Sequence, residues 1–200
     1  MRRRGSFFSA VLAVLTAVAT GQVQPRPIAV AGGSGAALRL DSAVTDAAGA
    51  RVVVMFFAAA DCPISNRYVP TIEQLDHSYA SKGVRVWWVY PNPADDAKTI
   101  AQHRKDFSIT GAVYPGAPES AVELAHATIT PEAAVFTVAD GRMHEVYRGR
   151  VDDRYIAIGQ ERPQATRHDL EDAIEAALSG KPAPLPGGPP VGCAIVPPQR

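Results

Sequence analysis

The stretch Arg51–Pro70, RVVVMFFAAADCPISNRYVP, decides how the rest of the chain is read. Arg51 to Phe57 is a run of β-branched and aromatic residues without alternation, the pattern of a central strand buried on both faces. The apolar run stops at Asp61, and Cys62 follows at once with Pro63 behind it. Proline is tolerated in the first turn of a helix, where its missing N–H would have had no partner, so a helix is predicted from about Pro63 to Ser81. Ile72, Leu75 and Tyr79 share one face of it at spacings of three and four. Pro70 inside it removes a hydrogen bond and predicts a kink, and Lys82-Gly83 ends it.

Working outward, Val84–Tyr90 (VRVWWVY) is a second central strand, with Trp87 and Trp88 pointing to opposite faces. A polar helix is predicted over Ala94–Phe107, a short extended segment at Val113-Tyr114, and a short helix over Glu119–Ala127. Thr130-Pro131 precedes a strand from Ala133 to Val138, and Asp140-Gly141 is a hairpin signal joining it to Met143–Arg150. The last helix is predicted from Thr166, as N-cap with Asp169 three residues on, to Leu178, with Gly180 and Pro182 stopping it. Leu38–Val44 is a strand candidate upstream. Helical crossovers make the first half parallel, and the hairpin makes the second half antiparallel.

Two hundred residues suggest one domain, and 20 basic against 20 acidic residues favour neither nucleic acid nor an anionic membrane as partner. The basic start Arg2-Arg3-Arg4, the short apolar run Phe7–Val18 and the small-x-small Ala17-Val18-Ala19 read as a signal peptide over residues 1–21, cleaved near Ala19, or as an uncleaved anchor. Export to the periplasm or the extracellular space is therefore expected. Residues 22–37 read as a linker and 38–180 as the domain. The proline-rich 181–200 reads as a tail outside the packed core.

Export also shapes the reading of the only two cysteines, Cys62 and Cys193, because in an oxidising compartment they can pair permanently or cycle. Their separation excludes a local CxxC pair and a zinc knuckle. A thiol between a central parallel strand and a helix start gains from the unpaired N–H groups and the macrodipole there, which favour the thiolate. Ser65 can offer its hydroxyl to the same sulfur. The alternative for Cys62 is a buried, inert residue packed as a small apolar group.

The order of elements, Cys62 after VVVMFF, Pro70 eight residues on and TPEAAVF before the hairpin together resemble the thioredoxin-like superfamily over about Leu38–Leu178. More closely they resemble exported redoxin-domain proteins related to alkyl hydroperoxide reductases and thiol–disulfide reductases. DCPISNRYVP and VYRGRVDDRY resemble one redoxin subgroup. The resemblance implies an α/β fold with a central mixed four- to five-stranded sheet flanked by helices. It also implies a cis-proline at Pro131 beside the reactive cysteine, with Thr130, Pro131 and Glu132 lining a groove for extended substrates. Here the motif is Cys62-Pro63-Ile64-Ser65, CxxS, so no disulfide closes within it. Met55 and Ala59 stand where peroxiredoxins carry proline and threonine, which puts efficient peroxidase chemistry in doubt.

Cys193 sits in PVGCAIVPPQR, and about fifteen residues after the last helix reach the sheet easily at 3.3–3.6 Å each. The expectation is a thiol oxidoreductase with Cys62 as nucleophile, Ser65 as hydrogen-bond donor and Cys193 as resolving thiol. Its partners would be protein thiols or disulfides, or a small oxidant, with an electron donor that the sequence does not name. Three alternatives remain: a Cu(I) or partner carrier using both cysteines, a peroxiredoxin-like antioxidant, or a structural staple. No glycine-rich phosphate loop implies an organic cofactor, and His77, His103, His126, His144 and His168 show no metal-site spacing. Arg148, Arg150, Asp152, Asp153 and Arg154 read as a solvated loop, or else with Arg150 or Arg154 steadying the thiolate.

Overall fold

The computed structural model describes residues 29–31, 37–39, 49–114, 117–139 and 142–196. The expected signal segment, the Pro25–Pro27 stretch and the Asp140-Gly141 turn lie outside these residues. Their elements in chain order begin with strands β1 (Ala29–Ala31), β2 (Ala37–Arg39) and β3 (Val52–Phe57), then helix α1 (Pro63–Tyr79) and β4 (Val84–Val89). Helix α2 (Ala97–Phe107), β5 (Ala112–Val113), α3 (Pro118–Ala125), β6 (Ile129–Thr130), β7 (Glu132–Ala139) and β8 (Arg142–Gly149) follow. The chain continues with β9 (Tyr155–Ala157), β10 (Gln160–Glu161), α4 (Asp169–Leu178) and β11 (Cys193–Ala194).

The main sheet has the order β2-β1-β8-β7-β3-β4-β5. Strands β3, β4 and β5 are parallel, whereas β7 runs antiparallel to β3 and β8 antiparallel to β7, with Ala139 opposite Arg142 across the predicted hairpin. The five strands β8-β7-β3-β4-β5 are the central mixed sheet that the sequence predicts. Beyond them β1 joins the β8 edge in parallel and pairs antiparallel with β2. Part of the expected linker is therefore sheet, because the short apolar Ala29-Val30-Ala31 run can satisfy its backbone groups along an open edge.

Every residue of β3 is buried, as the unalternating run requires. Val52, Val54 and Phe56 face a core shared with Trp88, the α1 residues Tyr68, Val69, Ile72, Leu75 and Tyr79, and the α4 residues Leu170, Ala173 and Ile174. Val53, Met55 and Phe57 face the other core, with Trp87 and the α3 residues Ala121, Leu124 and Ala125. Trp88 donates to Glu73 at 3.2 Å, while Trp87 packs edge-on to Tyr114.

Three boundaries differ from the sequence reading. Helix α2 begins at Ala97 because the Asp96 carboxylate caps it, accepting the Thr99 amide at 2.8 Å. Thr166 does not cap α4: its amide and hydroxyl both donate to Asp153, each at 2.7 Å, and the helix starts after His168. The mixed-charge loop after β8 contains the β9–β10 hairpin, and Asp152 and Asp153 are buried within it. Asp152 accepts the Tyr68 hydroxyl at 2.5 Å, and Asp153 also accepts the Arg167 amide at 3.0 Å.

The tail is not outside the fold. Asp169, 1% exposed, pairs with Arg150 at 2.8 Å and Arg167 at 2.9 Å, and it accepts the Gly187 amide at 3.1 Å. From that anchor the chain returns to the sheet, where β11 pairs antiparallel with β6, Cys193 opposite Thr130 and Ala194 opposite Ile129. The Ile195 amide donates to the Thr128 carbonyl at 3.0 Å, and the Val196 amide to Asn92 Oδ1 at 3.0 Å.

Candidate active site

Cys62 is the N-cap of α1 with Pro63 at the first helical position, so β3 delivers its sulfur to the carboxyl end of the parallel strands. The Asn66 amide closes the first turn onto the Cys62 carbonyl at 3.0 Å. Ser65, one turn on and 1% exposed, accepts the Ala59 amide with Oγ at 3.4 Å, which fixes the hydroxyl against the turn before the helix.

The Thr130-Pro131 bond is cis. The Cys62 thiol donates to the Thr130 carbonyl at 3.4 Å, so sulfur and cis-proline turn lie side by side as the resemblance implies. Cys193 arrives from the far end of the chain, and its sulfur lies 2.6 Å from that of Cys62. The Thr130 hydroxyl donates to the Cys193 carbonyl at 3.4 Å. A Cβ on Gly192 would come within 2.7 Å of the Thr130 carbonyl carbon and 2.8 Å of Pro131 Cδ, and closer still to the Thr130 oxygen. Only a residue without a side chain lets the tail lie this near the cis-proline turn.

The two sulfurs differ in environment. Cys62 is 1% exposed, whereas Cys193 is exposed. Burial pushes the Cys62 pKa up, but the Cys193 thiol, the Ser65 amide and hydroxyl and the Ile64 amide outweigh it, and the net direction is down. Cys193 is pushed up to about 12 by burial, by its hydrogen bond to Cys62 and by the charge on Cys62 and Asp61. Of the two, Cys62 is therefore the sulfur that ionises first, and Cys193 keeps its proton longer.

The remaining expected residues take other places. Glu132 is buried, and its carboxylate accepts the Thr128 amide at 3.0 Å, bracing the loop that leads into β6. Arg150 is paired with Asp169, and Arg154 with Glu161 at 3.4 Å, so each guanidinium already has a carboxylate partner. Met55 is buried in the second core, and the Ala59 side chain offers no polar group. Among the described residues, no group of three or more His, Cys, Asp or Glu side chains is arranged to hold a metal ion.

Two features escaped the sequence reading. His103 on α2 is buried between Tyr90 and Asn66: its Nδ1 lies 3.0 Å from the Tyr90 hydroxyl and its Nε2 2.9 Å from Asn66 Oδ1. Asn66 Nδ2 donates to the Ala60 carbonyl at 3.1 Å, so Oδ1 must accept from an Nε2–H and Nδ1 accepts from Tyr90. Burial lowers the His103 pKa against the opposing charge of Asp106, in keeping with this neutral form. The chain from Tyr90 to Ala60 ties α2 to the turn preceding Cys62. The second feature is a cleft of 440 Å³ beside the sulfurs, whose lining includes Pro63, Ile64, Tyr155, Ile158 and Cys193. Its only sequence signal is the short apolar run Tyr155-Ile156-Ala157-Ile158, too brief to stand out beside the charges around it.

A central mixed sheet with helices on both faces, a cysteine opening α1 and a cis-proline turn whose Thr130 carbonyl meets its sulfur define a thioredoxin-like fold. Residues 29–126 match the AhpC/TSA family, and the fold around them is thioredoxin-like. Its fold is similar to that of a hypothetical protein from Sinorhizobium meliloti 1021, with a TM-score of 0.63 at 20% identity over 86% of this chain and 91% of that one. An uncharacterized conserved protein from Geobacillus kaustophilus gives 0.64 at 22% identity, over 86% and 89%. A protein provisionally named thiol:disulfide interchange protein DsbE, from Chlorobium tepidum, gives 0.50 at 19% identity, over 77% and 94%. No curated protein matches the chain. The family match ends before Thr130 and Cys193, so half of the site lies outside it.

Proposed function

We propose that the protein is an exported thiol oxidoreductase whose redox centre is the pair Cys62 and Cys193. The single observation that carries the reading is the approach of the two sulfurs to 2.6 Å beside the cis-proline turn, from positions 131 residues apart. The pair cycles between dithiol and disulfide: two electrons and two protons leave the sulfurs when the S–S bond forms and return when thiols of a partner reduce it. Cys62 supplies the more readily ionised sulfur, favoured by the Ser65 hydroxyl and the first amides of α1, while Thr130 and Gly192 keep Cys193 in line with it. Thiolate character controls the rate of such exchange. Glu132 acts indirectly, by bracing the loop that carries Thr130. No cofactor is required, because the sulfur pair itself carries both electrons, held in the dithiol and given up when the S–S bond forms. The basic and apolar N-terminal segment supports an exported setting, where such a bond persists.

The test is peptide mapping of the full chain after oxidation by glutathione disulfide, without reduction. The expected result is a peptide linking positions 62 and 193, lost in Cys62→Ser and in Cys193→Ser, together with catalysis of thiol–disulfide exchange that both variants lose. Absence of the linked peptide under every oxidant refutes the reading. A linked peptide without any exchange activity reduces the pair to a staple.

A further inference from the structure

We propose that external thiols exchange with this centre at Cys193 rather than at Cys62, entering through the cleft between the start of α1 and the β9–β10 hairpin. The proposal rests on the redox pair just described and adds the order in which its sulfurs meet a partner.

Three observations of access support it. Cys62 is 1% exposed, enclosed by Thr130, Ser65 and the returning tail. The edge of β6, where an extended partner would otherwise lie against the cis-proline turn, is already filled by β11. Gly192 lies so close to Thr130 and Pro131 that not even a methyl group fits between them. Cys193, by contrast, is exposed and forms part of the wall of the 440 Å³ cleft. With the tail in place, Cys193 is the residue of the pair that meets solvent and the cleft.

The chemistry runs the same way. A thiolate RS⁻ attacks Cys193 Sγ of the disulfide, a new RS–S bond forms to Cys193, and the Cys193–Cys62 bond breaks with its electron pair going to Cys62. The leaving sulfur is then the one that the Ser65 hydroxyl and helix amides stabilise as an anion, and a better-stabilised leaving thiolate departs faster. A second thiol attacks the R sulfur of the mixed disulfide and releases Cys193, which takes up a proton. Once Cys62 takes back the proton that the first RSH gave to solvent, the sum is two RSH oxidised to RSSR and one protein disulfide reduced to a dithiol. The centre thus works as an oxidant of thiols. Between the two steps the Cys62 thiolate can return to Cys193 and expel RS⁻, which makes the mixed disulfide short-lived.

The test uses the oxidised full chain, with reduced glutathione in one arm and a longer single-cysteine peptide in the other, each followed by rapid acid quenching and peptide mapping. The expected result is an adduct on the Cys193 peptide in excess over Cys62 by about tenfold or more, each tenfold being about 1.4 kcal/mol of barrier. The observed rate is expected to rise linearly with thiol concentration, as direct attack on the seated tail requires. The faster arm identifies a small thiol or a polypeptide as the better donor, and an adduct on Cys193 supports the proposal in either. Adducts mainly on Cys62, or a rate that saturates because the tail must leave first, overturn it while leaving the redox pair intact. If no linkage between 62 and 193 forms, both this proposal and the function above fall.

Discussion

Gly192→Ala tests how the tail is held, with a magnitude that follows from the structure. The added methyl would meet the backbone of Thr130 and the Pro131 ring, neither of which is the movable end of a side chain. The tail strand must therefore lift. Lifting it removes the β11–β6 ladder, the Ile195–Thr128 bond of 3.0 Å and the Thr130–Cys193 bond of 3.4 Å. At about 0.5–1.5 kcal/mol for each bond, the closed tail loses roughly 2–3 kcal/mol. At 1.4 kcal/mol per tenfold, the open population rises by roughly 30- to 140-fold. The assay is alkylation of the reduced protein at neutral pH, with Cys62 and Cys193 quantified separately by mass spectrometry. Alkylation of Cys62 should accelerate by up to that factor, less what the thiolate loses with the Cys193 hydrogen bond, and disulfide formation with Cys193 should slow. The thermal midpoint should change little, because the broken hydrogen bonds belong to the tail and the two cores on either side of β3 are untouched. Equal Cys62 alkylation rates in variant and wild type would refute the reasoning, since the tail would then not be what covers the sulfur.

Further outcomes concern the groups around the pair. Ser65→Ala removes a hydroxyl that stabilises the Cys62 thiolate and accepts the Ala59 amide, so the Cys62 pKa should rise. Thiolate ultraviolet absorbance followed across pH checks this, and an unchanged titration would exclude the hydroxyl from the site's electrostatics. Asp169→Asn leaves Arg150, with a side chain only 14% exposed, without its carboxylate and weakens the Gly187 anchor. A loss on the order of 3 kcal/mol is expected in urea unfolding, with slower 62–193 linkage, and a loss within error would show that the clamp is idle. The Asp153 carboxyl is held well below the usual carboxylate range, first by the Thr166 hydroxyl and then, against the cost of burial, by the Arg167 and Thr166 amides and Arg162. A depressed folded pKa stabilises the fold above the unfolded value of about 4 and ceases to do so as pH falls through the folded pKa. Asp153→Asn should therefore melt lower than wild type at neutral pH, with the gap closing in acid, and a gap independent of pH would contradict the assignment.

What the sequence disclosed, and what it withheld, follows from the range of the forces involved. Strand β3 was legible because burial on both faces demands an unbroken apolar run, β4 because only the exposed Arg85 interrupts one, and the β7–β8 pair because Asp140-Gly141 is a hairpin signal between two strand-like runs. Pro131 was legible only through family resemblance, since nothing in Thr130-Pro131 itself separates cis from trans. The start of α4 was misplaced because Thr166 has the chemistry of a cap, yet Asp153, thirteen positions earlier, competes for its amide and hydroxyl. Arg150 looked free to approach the thiolate until folding set it beside Asp169, a pairing across nineteen positions with no periodic signature. The meeting of Cys193 with Cys62 was within reach of the chain, but its seat depends on backbone clearance at Gly192, which hydrophobic pattern does not encode.

The double fastening of the tail, at Gly187 by Asp169 and at Ile195 by Thr128, has a practical consequence. A sulfur leashed over six residues explores so small a volume that it faces its counterpart at the millimolar or higher local concentration of a short tether. Dilution, competing thiols and crowding hardly alter that encounter. Attempts to fish for clients with the intact chain will come back nearly empty, because the leashed pair recloses before a captive can be washed. Bait that lacks one of its two sulfurs is the form that should keep its catch.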